Sequence, residues 1–193
     1  MRQRTKNQRS KPYQIDRHKF FDTEERNMLM EITADYARED SKAGRTTWVT
    51  RWMLVHLAMY SGLRVGEIAN LTKRDLYLTD EYPYVRVRNG KGGKSRDVYI
   101  DRQLTQHLAQ YTEQRRADDR VFPVTTTALH ISFKRACKEA NVRPDLSIHS
   151  ARHTYATLLL ARTGNLRYVQ KQLGHAHPSM TALYADILPE LNG

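Results

Sequence analysis

Tyr84-Val85-Arg86-Val87-Arg88 and Arg96-Asp97-Val98-Tyr99-Ile100, joined by Asn89-Gly90-Lys91-Gly92-Gly93-Lys94-Ser95, set the fold class of this chain. Both arms alternate in twos around a glycine-rich turn, which predicts an antiparallel β-hairpin. Leu76-Tyr77-Leu78, just upstream, offers a third, short strand. Outward from here the period is helical. Trp48 to Tyr60 is apolar at nearly every position, which predicts a buried central helix. Ser61-Gly62 breaks it, and a second helix starts near Arg64 and runs through Ile68 to Leu71. Further upstream, Phe20-Phe21-Asp22-Thr23-Glu24-Glu25 reads as a helix start, with Asp22 or Thr23 as the cap and acids in the first turn. That helix continues through Met28, Leu29 and Ile32, and polar residues 39–47 end in a loop around Gly44. Downstream, helices are expected near 101–116, 127–140, 150–161 and 166–173, the last closed by Gly174 as a left-handed cap. A final short helix near 178–188 would carry Tyr184. The expected fold class is α+β: mostly α with a small antiparallel β-sheet.

Composition narrows the function classes. One cysteine among 193 residues, Cys137, excludes an internal disulfide framework and a multi-cysteine metal cluster. There is no run of about 18 apolar residues and no apolar segment near the amino terminus, so neither a membrane span nor a secretory leader is expected. The chain reads as soluble and cytoplasmic. The net charge is +11, and residues 1–19 hold seven cations, Arg2, Arg4, Lys6, Arg9, Lys11, Arg17 and Lys19, against Asp16 alone. These residues lack apolar periodicity and read as a disordered basic arm on a moderately basic body, 20–193. Such a charge distribution suits a polyanion, because neutralising phosphates releases condensed counterions.

Two chemical readings of short motifs fail on their own terms. Gly93-Lys94-Ser95 looks like the end of a phosphate-binding loop, but that motif needs glycine where Arg88 stands, and a helix where a strand follows. His149, His153, His175 and His177 invite a zinc site. Yet the glutamate of H-E-x-x-H is missing, and no Asp or Glu lies between Asp145 and Asp186. No metal and no cofactor are expected.

Taken singly, Arg64 in Ser61-Gly62-Leu63-Arg64-Val65-Gly66-Glu67-Ile68 is a solvated arginine, and Tyr184 is one of 11 tyrosines. Taken in order, Arg64, Lys91, His149-Ser150-Ala151-Arg152-His153, Leu173-Gly174-His175 and Tyr184 resemble the tyrosine recombinase (phage integrase) family over about 20–190. The resemblance is to its compact form, without a separate core-binding domain ahead of the catalytic one. It implies the tyrosine recombinase catalytic-domain fold and a site-specific DNA recombinase or integrase. Type IB topoisomerases share the chemistry and are the alternative, with a non-catalytic DNA-binding relative as the second-class reading.

The resemblance implies that Tyr184 attacks a phosphodiester to form a 3′-phosphotyrosyl bond, with Arg64, Lys91, His149, Arg152 and His175 as its catalytic partners and Glu67 in support. These residue types suit the chemistry. Guanidinium forks at Arg64 and Arg152 can hold the non-bridging oxygens, and His175 can donate a further bond. Tyr184 needs a base, for which His149 is the candidate, and the leaving 5′-oxygen needs an acid, for which Lys91 is the candidate. Glu67, one turn beyond Arg64, would orient that arginine. DNA contacts are expected from Arg2, Arg4, Lys6, Arg9 and Lys11 of the arm and from Lys94 and Arg96 of the hairpin. The implied partners are double-stranded DNA with a specific site and further copies of the chain in a tetrameric synapse. Accessory DNA-bending proteins and a place in the nucleoid belong to the same picture.

Overall fold

Asp22 opens the first helix by a reciprocal cap: its carboxylate accepts the Glu25 N–H at 2.8 Å, and Glu25 accepts the Asp22 N–H at 3.1 Å. This helix, α1 (Thr23–Lys42), is longer than its sequence suggests. The first polar residues of the stretch 39–47 carry the helix to Lys42, and it breaks at the expected loop around Gly44. Asp40 is buried there, accepting the Trp48 N–H at 2.7 Å and Arg45 Nε at 2.8 Å. One carboxylate thus fixes the corner between α1 and α2 (Thr47–Ser61).

The computed structural model describes residues 19–88, 95–175 and 181. Along α2, Met53 to Met59 are all buried, as an apolar run without a polar face requires, and α1, α4, α5 and α6 pack around it. A short helix, α3 (Val65–Asn70), and one 3-10 turn (Lys73–Asp75) lead into the sheet. Strands β1 (Leu76–Tyr77), β2 (Tyr84–Val87) and β3 (Arg96–Tyr99) pair antiparallel in the order β1-β2-β3. The register sets Leu76 against Val85 and Val85 against Val98, so Val85, Val87 and Val98 face the core. Tyr77, Tyr84 and Tyr99 line the other face, with Tyr77 and Tyr84 stacked at 4.4 Å.

Helices α4 (Arg102–Thr112), α5 (Thr126–Glu139), α6 (Ile148–Thr163) and α7 (Leu166–Leu173) complete the described body. Helix α4 stops short of the expected 116, because Lys73 Nζ reaches over from the 3-10 turn and takes the Glu113 and Arg115 carbonyls at 2.9 and 2.7 Å. Glycines in the left-handed region end α2, α6 and α7: Gly62, Gly164 and Gly174. The turn 89–94 and the expected helix 178–188, apart from Thr181, lie outside the described residues.

Inside the α2–α4 contact, His56 Nδ1 lies 3.0 Å from His107 Nδ1. Two nitrogens so placed can share one proton between them but cannot both carry one. Burial, then the charge of His107, pushes the His56 pKa down to about 4 from its ordinary 6.5. The unfolded chain therefore binds more protons than the folded one at mildly acidic pH. Stability should be full above about pH 6.5 and fall as the pH drops toward 4. Replacing His56 with Leu should flatten the acid side of a urea-midpoint profile by up to about 1.4 kcal/mol per pH unit, the value of one proton. An acid slope unchanged in His56→Leu would contradict this placement.

Candidate active site

The carboxyl end of α7 is where Arg64, Arg152 and His175 converge. A helix ends with carbonyls that have no intrahelical partner and a partial negative charge. Here three successive carbonyls each receive a guanidinium. Arg96 Nε donates to Gln172 O at 2.9 Å, Arg152 Nη2 to Leu173 O at 2.8 Å, and Arg64 Nη2 to Gly174 O at 3.3 Å. Arg96 comes from the start of β3, Arg152 from the second turn of α6, and Arg64 from the residue before α3. Arg152 is buried and its Nη1 also donates to Gly62 O, at the carboxyl end of α2. One side chain thus joins two helix ends.

Glu67 collects the rest of the arrangement. Its Oε1 accepts from Arg64 Nη1 at 2.9 Å and Arg96 Nη1 at 2.8 Å; its Oε2 accepts from the Arg64 backbone N–H at 2.8 Å and Arg96 Nη2 at 2.9 Å. Burial opposes its ionisation, but the bonds and charge of Arg96, and then of Arg64, outweigh this and hold the carboxyl down at about 2. The expectation that Glu67 orients Arg64 therefore gains a second partner that sequence reasoning missed. Arg96, expected to contact DNA, has a side chain only 11% exposed, with its N–H groups facing Glu67 and Gln172. Buried beside a carboxylate and a helix end, a guanidinium finds better partners inside than outside.

The histidines sit around these arginines. His175 follows the α7 cap, with Nδ1 3.0 Å from Thr181 Oγ1. Burial, then the cations Arg152, Arg64 and Arg96, push its pKa down to about 4, so the ring is neutral at pH 7. In the tautomer in which the Thr181 hydroxyl donates to Nδ1, the ring proton sits on Nε2, a neutral donor beside the arginines. His149, in the first turn of α6, is exposed, and its ring lies 5.4 Å from that of His130 on α5. Burial of part of the ring, then His130 and Arg152, lower its pKa, which favours the unprotonated form that a base requires. His153, one turn on, is held neutral by burial and by Arg152, at about 4. Among the described residues no group of three or more His, Cys, Asp or Glu side chains is placed to hold a metal ion.

Lys91, Lys94 and Tyr184 lie outside the described residues, as do His177 and the arm residues Arg2, Arg4, Lys6, Arg9 and Lys11. Among what the structure does place, the backbone carbonyls of Gly62, Leu173 and Gly174 were invisible to side-chain reasoning, although Ser61-Gly62-Leu63-Arg64 and Leu173-Gly174-His175 contain them.

The family profile of the phage integrases matches residues 19–190. The chain belongs to the phage integrase family, the tyrosine recombinases. It is 33% identical to a tyrosine recombinase of Thermosipho africanus over 138 residues, covering 69% of this chain and 48% of the relative. It is 32% identical to tyrosine recombinase XerA of Saccharolobus solfataricus, covering 70% of this chain and 45% of that one. The chain therefore spans about half the length of these curated relatives. Its fold matches the crystal structure of XerA recombinase with a TM-score of 0.71 at 27% identity, over 90% of this chain and 61% of that one. A XerH recombinase bound to a palindromic difH substrate shares the fold at the same TM-score and 21% identity, over 89% of this chain and 50% of that one. The tyrosine recombinase catalytic-domain fold expected from the motifs is thus the fold observed. No described helix is long and apolar enough to cross a membrane.

Two glycines test how tightly the site is packed. Gly62 and Gly164 share nearly the same φ, 61° and 60°, but a Cβ on Gly62 would overlap the Tyr155 ring, whereas one on Gly164 meets nothing within 4 Å. Alanine at Gly164 should cost only the left-handed backbone term, about 1–2 kcal/mol. Alanine at Gly62 should cost at least about 1–3 kcal/mol more, the usual cost of overpacking. Urea denaturation of the two variants side by side measures the difference, and equal losses would contradict the tight Gly62–Tyr155 contact.

Proposed function

We propose that this chain is the catalytic part of a site-specific DNA recombinase that cleaves and rejoins double-stranded DNA through a 3′-phosphotyrosyl bond. The observation that carries this reading is the convergence of Arg64, Arg152 and His175 at the end of α7, oriented by protein groups before any substrate arrives. Donors fixed in advance stabilise developing charge without reorganising during the reaction. Arg64, the more open of the two arginines, and Arg152 bind the non-bridging oxygens, and neutral His175 adds a hydrogen bond.

Tyr184 Oη attacks phosphorus, the P–O5′ bond breaks, and the 3′-phosphate stays on the tyrosine. His149 takes the phenolic proton and Lys91 supplies one to the departing 5′-oxygen. The bond energy remains in the phosphotyrosyl ester, so a 5′-hydroxyl from another strand can reverse the step without nucleotide hydrolysis. Related proteins solved with DNA, among them the XerH–difH complex and a lambda integrase dimer on its core site, support duplex DNA as the substrate. Exchange between two sites calls for several copies, and we assign the tetrameric synapse on a specific site and the action in the nucleoid to the same reading. The cations of residues 1–19, acting as point charges, add affinity for phosphates rather than base readout.

The nucleophile is tested by Tyr184→Phe on a supercoiled plasmid library. This variant should bind DNA as the parent does and form no SDS-resistant adduct; undiminished adduct would assign the nucleophile elsewhere. Excess EDTA should leave the parent's yield unchanged. Efficient relaxation of any plasmid by a single copy, with no recombinant product, would favour the topoisomerase alternative.

Lys91 is tested on the leaving group. Sulfur at the 5′-bridging position departs with little need of a proton. Lys91→Ala should therefore lose roughly 100-fold or more on ordinary DNA, the usual worth of general acid catalysis, and remain near parental rate on the sulfur substrate. Equal losses on both would make Lys91 a binding residue.

A further inference from the structure

We propose that Arg96 is a positioning residue of the phosphate site, occupying both oxygens of Glu67 so that Arg64 is oriented by that carboxylate without being neutralised by it. The inference rests on the reading that Arg64 grips the reacting phosphate, and adds a residue to it.

The argument begins with a conflict in the design of any such site. A long arginine side chain needs a fixed partner to hold it at a defined angle. The natural partner is a carboxylate, yet a carboxylate close enough to orient a guanidinium also cancels its charge, and the charge is what a phosphate requires. Glu67 would pose this problem acutely, since its side chain is only 10% exposed and charges interact strongly there. Left alone with Arg64, it would draw that arginine into a two-point ion pair.

Arg96 removes the conflict. Its Nη1 and Nη2 lie 2.8 and 2.9 Å from the two oxygens of Glu67, a forked pair, whereas Arg64 reaches the carboxylate with one side-chain nitrogen only, Nη1, on Oε1. Arg64 keeps 30% of its side chain exposed, against 11% for Arg96. Two guanidiniums, Arg64 and Arg96, share this one carboxylate, and Arg152 lies on the neighbouring Leu173 and Gly62 carbonyls, so the described cluster holds an excess of positive charge.

The placement of Arg96 is itself fixed. Its Nε bonds Gln172 O, and its Cδ, Nε and Nη1 would stand 2.9 Å from a Cβ on Gly174. A side chain at Gly174 would have to push that guanidinium off the α7 cap. Three residues beyond Arg96, the Tyr99 N–H donates to Gln172 Oε1 at 3.1 Å, holding β3 on the same helix end.

The test uses the full chain without DNA and inorganic phosphate as the oxyanion, with binding read from the Arg64 Nε–H resonance. Arg96→Ala should weaken phosphate binding roughly 10-fold or more, the scale of a lost outer partner. The double variant Arg96→Ala/Glu67→Gln, which removes the uncompensated carboxylate as well, should recover most of that loss. Should Arg96→Ala unfold, Arg96→Gln, which loses the charge and keeps an amide donor, carries the same comparison. Undiminished binding in the single variant overturns the proposal, as does a double variant no better than the single, which would mark a purely structural role.

A third measurement addresses the DNA-contact alternative. The slope of log K against log salt for a random duplex should be the same in Arg96→Ala as in the parent; a slope flatter by about 0.9 would make Arg96 a phosphate contact. Failure of the underlying reading shows separately: the parent would give no phosphate-induced shift at Arg64, or Arg64→Ala would form adduct on the plasmid library as the parent does.

Discussion

The last turn of α7 ends with carbonyls that the helix itself cannot pair, and burying them obliges other parts of the chain to supply donors. Three arginines do so, from β3, from α6 and from the start of α3. The helix end thus fixes the relative positions of elements far apart in sequence. Its partial negative charge also lets cations gather that would otherwise repel one another. On the proposed function, positive charge has to be held together here before a phosphate comes. The α7 terminus, with Glu67 beside it, does this from backbone and one carboxylate.

The rest of the body keeps that helix end in place. Helix α2, buried on nearly all sides, brings the Gly62 carbonyl to Arg152, and Tyr155 presses against Gly62 where no larger residue fits. The chain leading into α1 is tied to α6 by the Phe21 N–H on Thr154 Oγ1 at 2.9 Å, and to the α5–α6 connection by Arg143, which holds Glu25 and the Phe20 carbonyl. Burial near these cations keeps His153 and His175 neutral at physiological pH. Arginine carries the permanent charge, and histidine is left to donate or accept a proton.

Much of the fold was legible because its signals are local. The strands over 84–88 and 96–100 appear with one residue fewer each, the third strand lies at Leu76–Tyr77, and Gly174 caps α7 as expected. Errors arose where a distant group decides the local outcome. Asp40, polar in a polar stretch, is buried because the Trp48 N–H and Arg45 need it, and α4 ends early because Lys73 caps its carbonyls. The site follows the same rule. Arg64, Arg152 and His175 were legible as side chains in recognisable motifs. The carbonyls they bind were not, because a backbone acceptor carries no residue identity. The burial of Arg96 was hidden for a related reason: beside a lysine-bearing stretch of sequence it reads as a surface cation, and only the chain's return through α3 and α7 supplies Glu67 and Gln172 to draw it in.

The central claim is that the arginines are held by protein groups before any phosphate is bound. Arginine side-chain NMR of the DNA-free chain measures this directly. The account expects hindered rotation of the Arg152 and Arg96 guanidiniums and slow exchange of their Nε–H protons, with Arg64, the more exposed, between these and a surface arginine such as Arg38. Fast, averaged rotation at all three, indistinguishable from Arg38, would mean that the site forms only on the phosphate and would contradict the account.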